Sequence, residues 1–263
     1  MEFPKTLIKR NGYIERIKPF MRKNIAKVLT GQRRVGKSFL LYQLMDQLLV
    51  EEPDANIIYI NFEDFAFSHI QTAEDMHAYI MSKFRKEKYN YIFVDEIQEI
   101  VNFERVIRSL LLNENNDIYI TGSNAKMLSG ELATYLSGRY IEFSVYSLSY
   151  LEFLAFHKLE NNNESLYLYS RYGGLPYLIN LPLKDETVNE YLKSVYSTIV
   201  FRDVVSRYNL RNSSFLEKLV QFLSENIGNL FSAKNISDYL KSQHSTISVN
   251  QIQNYTEYLN NAF

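Results

Sequence analysis

Five short apolar runs punctuate the first half of the chain: Ala26–Thr30, Asn56–Asn61, Tyr91–Asp95, Asp117–Thr121 and Tyr140–Phe143. Most are continuously apolar rather than alternating, which is the pattern of strands buried on both faces of a parallel sheet. Between them apolar residues recur at helical spacing. Phe39, Leu40, Leu41, Leu44, Met45, Leu48 and Leu49 form one stripe. Met76, Tyr79, Ile80 and Phe84 form a second, behind a Thr72 suited to cap it, and Phe103, Val106, Ile107, Leu110 and Leu111 form a third. Strand–helix alternation of this kind predicts a three-layer α/β domain built from βαβ units.

After about Val145 the pattern changes to successive helical stretches, interrupted at Asn161–Asn163, at Gly173-Gly-Leu-Pro176 and at Pro182. This predicts an α/β core over 1–145, a small helical domain over 146–208, and a helical segment over 209–263. The last segment reads as helices over Phe215–Glu225, Ser232–Lys241 and about Ser248–Leu259, with Ser232 and Ser248 as caps. That triple matches the helical part of a winged helix. A β-hairpin wing would come next, and the expectation is that the chain is a piece of a longer protein.

Composition narrows the chemistry. The 263 residues are 46% apolar and 22% charged, with 29 Lys and Arg against 30 Asp and Glu, so bulk positive charge does not hold this chain to nucleic acid. With no Cys, disulfides, thiolate metal sites and thiol nucleophiles are excluded, and the four His show no metal-ligand spacing. No secretory h-region follows the N-terminal charges, and no apolar run approaches the ~20 residues a membrane span needs. The expectation is a soluble cytoplasmic protein.

Gly31-Gln-Arg-Arg-Val-Gly36-Lys37-Ser38 matches the phosphate-loop pattern G-x-x-x-x-G-K-[ST], between a strand run and an amphipathic helix. Gly31 and Gly36 let the backbone curl so that its N–H groups face phosphate oxygens, and the following helix adds its positive end. Lys37 is expected on the β- and γ-phosphates, and the Ser38 hydroxyl on Mg²⁺. Gly31, Gln32, Arg33, Arg34, Val35, Gly36, Lys37, Ser38 and Phe39 form the expected nucleotide-binding stretch. Arg33 and Arg34 occupy positions that more often face solvent or a neighbouring subunit.

Tyr91-Ile-Phe-Val-Asp95-Glu96 places two carboxylates at the end of a buried strand, where ligands bind in open α/β sheets. Asp95 is the expected Mg²⁺ partner, and Glu96 the group that deprotonates the attacking water. Gln98 is either a polar neighbour of these groups or a solvated loop residue. Another strand ends at Thr121-Gly-Ser123-Asn124, where Ser123 and Asn124 both fit a group orienting water or touching the γ-phosphate. The sequence does not choose between them. Arg139, just before the fifth run, reads either as an arginine finger toward a neighbouring subunit or as a surface arginine. Near the N-terminus, Arg10, Tyr13, Arg16 and Lys18 read as an amphipathic helix with a solvated basic face.

The Gly31–Ser38 loop, Val94-Asp95-Glu96-Ile97-Gln98, Thr121-Gly-Ser-Asn124, Ser137-Gly138-Arg139 and Gly173-Gly-Leu-Pro176 together resemble the archaeal-type AAA ATPases of prokaryotes, P-loop NTPases of the ASCE division, in the same order along the chain. The resemblance implies a five-stranded parallel sheet in the order 5-1-4-3-2, a helical lid, a winged helix and an uncharacterised C-terminal domain beyond it. It implies Ser123 or Asn124 as sensor, Arg139 as a finger that would act between copies of the chain, and Pro176 in a lid motif that contacts adenine in related signalling ATPases. It implies that the stretch holding Arg10, Tyr13, Arg16 and Lys18 packs beside the nucleotide base. It does not fix a lid arginine, for which Arg171 and Arg202 are candidates.

The reading is Mg²⁺-dependent ATP hydrolysis coupled to conformational change. The alternative is a nucleotide-gated DNA-binding or regulatory switch. The presumed recognition helix offers Gln251, Gln253 and Asn254 to base edges but carries no Lys or Arg for phosphates, which favours a packing role. An Asn-Lys-x-Asp guanine-selecting element is absent, so ATP is preferred over GTP.

Overall fold

Strands β1 (Ala26–Thr30), β2 (Asn56–Asn61), β3 (Asn90–Asp95), β4 (Asn116–Gly122) and β5 (Tyr140–Ser144) form one sheet in the computed structural model, which describes residues 4, 7–123, 134–136, 138–210, 213–242 and 247–262. All pair in parallel, in the order β2-β3-β4-β1-β5, which is the expected 5-1-4-3-2 read from the other edge. The central strands β1, β3 and β4 are buried along their whole length, whereas the edge strand β2 alternates. This accounts for the continuous apolar runs: a central strand has no solvent face to signal.

Alternate residues of β3 and β4 feed two cores. On one face Ile92, Val94, Ile118 and Ile120 meet Met76 and Ile80 of α3 (Ala73–Ser82) and Phe103, Val106 and Ile107 of α4 (Phe103–Leu110). On the other, Tyr91, Phe93 and Tyr119 meet Ile14 and Ile17 of α1 (Asn11–Ile17) and Leu40, Leu41, Leu44 and Leu48 of α2 (Lys37–Glu51). Thr72 caps α3 in a capping box with Asp75. After β5 come α5 (Tyr150–His157), with a Ser149–Glu152 capping box, and α6 (Asn163–Tyr172), capped by Asn162. A 3₁₀ turn over Pro176–Asn180 precedes α7 (Asp185–Thr198), which continues as π-helix over Ile199–Ser206.

Contacts group the chain into two units, 1–188 and 189–263. The second unit holds α8 (Ser213–Glu225), α9 (Ala233–Ser242) and α10 (Val249–Ala262), close to the expected ranges. Ser232 Oγ accepts the Asn235 N–H at 3.1 Å, and Ser248 Oγ accepts that of Gln251 at 3.3 Å, so both expected caps are in place. Leu216, Leu219, Ile236, Leu240 and Ile252 form its buried centre, while Gln251, Gln253 and Asn254 are exposed. Among the described residues, no helix is long and apolar enough to cross a membrane.

Candidate functional site

The loop between β1 and α2 is shaped by its glycines. Gly31 has φ +140°, and a Cβ there would sit 2.1 Å from the Val145 carbonyl oxygen at the exit of β5. Gly36, at φ +97°, turns the chain into α2 and leaves that helix without a side-chain cap or an acid in its first turn. The first N–H groups of α2 therefore have no capping side chain and no acid of their own turn to satisfy them. Lys37 is 4% exposed, and its Nζ donates to the Gly31 and Gln32 carbonyls at 2.9 and 3.0 Å, with the Glu96 carboxylate 3.8 Å away. Burial lowers the Lys37 ammonium pKa, against the opposing pull of Glu96 and Asp95.

Arg33 does not point to solvent. Its Nη1 lies 3.1 Å from Glu63 and 3.9 Å from Glu96, while Arg34 and Phe39 are exposed. The second arginine of the loop behaves as its position suggests; the first joins the cluster, because Glu63 follows β2 and brings a carboxylate to the same sheet edge.

The end of β3 supplies the carboxylates. Asp95 is 1% exposed and accepts hydrogen bonds from the hydroxyls of Thr121, Ser38 and Tyr59. Burial raises its pKa and repulsion from Glu96 adds to this, while the Thr121 and Ser38 bonds and Lys37 pull the other way. Burial, then Asp95, pushes the Tyr59 phenol far above its ordinary range. Glu96 takes a left-handed backbone, φ +55°, sparsely populated for a residue with a side chain. Its N–H donates to Thr121 Oγ1 at 3.0 Å, so one hydroxyl fixes both acids. Gln98 Nε2 donates to Glu96 at 2.5 Å and to Ser123 Oγ at 3.4 Å, and its Oε1 is buried without a partner among the described residues.

Ser123 thus reaches the Glu96 carboxylate through Gln98, whereas Asn124 lies outside the described residues. The Pro176 ring closes on the loop: its Cγ is 3.8 Å from where a Cβ on Gly36 would be. Gly174 makes this approach feasible, since its carbonyl accepts the Leu148 N–H at 2.7 Å and a Cβ would meet the Leu148 oxygen at 2.2 Å. Arg171 is held by Asp185 and Tyr167 at the surface, and Arg202 belongs to the second unit. Arg139 is exposed at the entry to β5, where its carbonyl accepts the Ala26 N–H at 3.0 Å. Five residues of parallel strand separate that sheet edge from the loop, about 15 Å, so Arg139 does not join the site of its own chain.

Sequence reasoning missed the roles of two residues. Thr121 pins both acids, a role no local pattern signals. Of the two readings open for Arg10 the solvated one fails: Arg10 is 4% exposed, and its guanidinium bonds the Val35 carbonyl of the loop and the Glu152 carboxylate of α5, contacts that the sequence did not indicate. Arg16 and Lys18 of the same segment are exposed, and the Tyr13 hydroxyl accepts the Tyr146 N–H at 3.0 Å. Burial pushes the Glu152 carboxyl up, but the bonds from Arg10 and the Ser149 N–H outweigh it and hold it below the ordinary value.

Residues 23–154 match the family model described as AAA domain, and residues 163–263 match a domain of unknown function, DUF8612. The chain belongs to the AAA domain family. It is an ATPase-type nucleotide-binding module. An uncharacterised protein of Haemophilus influenzae is 36% identical over 98% of the chain and 66% of its own length. An uncharacterised protein of Methanocaldococcus jannaschii is 31% identical over 91% of the chain and 55% of its own length. The chain therefore spans between half and two thirds of these relatives. Among solved structures, the RuvB Holliday junction branch migration motor of Thermotoga maritima is similar at 16% identity and a TM-score of 0.49, covering 97% of this chain and 89% of that one.

Proposed function

We propose that this AAA domain binds ATP with Mg²⁺ and hydrolyses the β–γ phosphoanhydride, with 1–145 as core, 146–208 as lid and 209–263 as a winged-helix-like segment. The observation that carries the reading is the convergence of Lys37, Ser38, Asp95 and Glu96 at one sheet edge, beside an uncapped helix N-terminus. The donor set fits its ligands. The α2 N–H groups and the buried Lys37 ammonium suit phosphate oxygens, and the Ser38 hydroxyl with the Asp95 carboxylate is a hard oxygen set suited to Mg²⁺. Bound there, Mg²⁺ would neutralise charge on the phosphates.

Glu96 takes a proton from water as the water oxygen bonds to the γ-phosphorus. The bond from phosphorus to the β–γ bridging oxygen breaks, leaving ADP and inorganic phosphate. Gln98 holds the Glu96 carboxylate in place, and the strained Glu96 backbone aims it. Pro176 lies where it can bear on the nucleotide. Arg139 can serve only a second copy, given its place at the opposite edge.

Nucleotide titration with a fluorescent ATP analogue and multiple-turnover phosphate release test this reading, on the chain and on the longer protein. Lys37→Ala is expected to abolish tight binding; affinity within twofold of wild type would remove the assignment. Glu96→Gln is expected to keep binding and stop turnover; wild-type turnover would remove Glu96 as base. Turnover in a mixture of Arg139→Ala and Lys37→Ala chains would reveal a shared site between copies. Tight binding by the wild type without turnover would favour the nucleotide-gated switch.

A further inference from the structure

Arg10, at the N-cap of α1, uses all five guanidinium N–H donors. Nε and Nη2 form a bidentate pair with the Glu152 carboxylate at 2.7 and 3.0 Å. Nη1 donates to the carbonyls of Val35 and Tyr146 at 3.1 and 3.0 Å, and Nη2 to that of Ser147 at 3.4 Å. Its Cζ lies 4.5 Å from the Tyr13 ring centroid. The Arg10 backbone N–H is held by Gln43 of α2, which also donates to the Ile8 carbonyl. A side chain so completely committed orders what it touches, and it touches the nucleotide loop directly.

The Val35 carbonyl belongs to the peptide unit whose N–H is that of Gly36. In a planar trans peptide these two groups point in opposite directions. Holding the Val35 oxygen outward against Arg10 therefore turns the Gly36 N–H inward, toward the loop interior. The same guanidinium fixes Tyr146 and Ser147, adjacent to Leu148, whose N–H donates to Gly174 at 2.7 Å. Two residues on, Pro176 packs near Gly36. A closed circuit results, from loop to Arg10, to the strand exit, to the lid turn and back to the loop.

We propose that Arg10 is a positioning residue that orients the Gly36 N–H for phosphate and couples occupancy of the loop to the Gly173–Pro176 turn. This rests on the reading of Gly31–Ser38 as a nucleotide site. Lysine replaces it only in part, because an ammonium cannot serve a carboxylate and three divergent carbonyls in one plane.

The test measures binding of a fluorescent ATP analogue with Mg²⁺ to the whole chain, together with amide hydrogen exchange. Arg10→Met is expected to weaken affinity by about tenfold or more, the scale of losing hydrogen bonds from a charged donor, with Arg10→Lys in between. Ile14→Ala, which opens a cavity in the same helix without touching these bonds, is expected to lower thermal stability and leave affinity within twofold. Equal affinity losses in Arg10→Met and Ile14→Ala would reduce Arg10 to a structural residue and overturn the proposal. In the wild type, nucleotide is expected to slow exchange at Gly36 and also at Leu148. In Glu152→Gln, which keeps the shape, removes the charge that holds the guanidinium plane and so remains testable if Arg10→Met fails to fold, the Leu148 response is expected to fall. A Leu148 response of wild-type size in Glu152→Gln, or one missing from the wild type, would also overturn the proposal. Lys37→Ala separates the two readings. If it binds like wild type, the nucleotide site itself is wrong; if it does not bind but Arg10→Met binds like wild type, only the Arg10 proposal falls.

Discussion

Gly31→Ala places the smallest side chain against the least yielding neighbour in the site. The new Cβ would lie 2.1 Å from the Val145 oxygen, roughly 1.3 Å inside the 3.4 Å onset of ordinary contact. The obstacle is backbone, not a side chain that can swing away. The Val145 N–H also donates to the Thr30 carbonyl at 2.7 Å, extending the β1–β5 pairing, so a shift of that size breaks this bond. Losing it costs about 1–3 kcal/mol if the partners stay unsatisfied. The φ of +140° adds about 1–3 kcal/mol for any residue with a Cβ. The expected total is about 2–6 kcal/mol. It falls on folding if the loop keeps its shape, and on nucleotide binding if the loop gives way. Urea unfolding of the free chain and nucleotide titration, done together, capture both shares. The matching control is Gly12→Ala in α1, where nothing lies within 4 Å of the added carbon, and which is expected to stabilise by about 0.5–1 kcal/mol. Stability of Gly31→Ala within about 0.5 kcal/mol of wild type, with affinity within twofold, would refute the steric argument.

Lys27 is fully buried, paired with Asp117, bonded to the Ile25 carbonyl at 2.8 Å and set 4.7 Å from the Tyr119 ring centroid. Lys27→Met leaves the Asp117 carboxylate without its cation and is expected to lose about 3–5 kcal/mol in urea unfolding. Adding Asp117→Asn, which keeps an acceptor for the Arg22 N–H and the Tyr119 hydroxyl, is expected to restore part of it, and a loss that simply adds would count against a paired buried charge. Asp95 has its pKa raised by burial first and by Glu96, so the folded chain holds that proton to higher pH than the unfolded one. Its contribution to stability is full below the unfolded value of 3.8 and is lost as pH rises through the folded value. Asp95→Asn is therefore expected to gain stability at neutral pH, on the order of 1 kcal/mol, while losing Mg²⁺-dependent turnover; an unchanged slope of urea midpoint against pH between 4 and 8 would contradict this.

What the sequence by itself determined is what local spacing encodes. The continuous apolar runs of β1, β3 and β4 mark strands buried on both faces, and Thr72, Ser232 and Ser248 cap their helices because capping needs only partners three residues away. The phosphate loop is legible for the same reason: the curl and the helix start depend on glycines at fixed offsets within eight residues. Gln98 and Ser123 are visible as polar residues near strand ends, but the bonds by which Gln98 links Glu96 to Ser123 are not. Tertiary structure alone decided the rest. Thr121 reaches Asp95 and Glu96 only because β4 lies beside β3. Lys27 meets Asp117 across 90 positions of sequence, and Arg10 meets Glu152 across 142. A charge in a buried run, or a basic residue at a helix start, looks the same in sequence whether solvated or enclosed. Which it is depends on the acceptors that the fold gathers around it, and apolar periodicity carries no record of those.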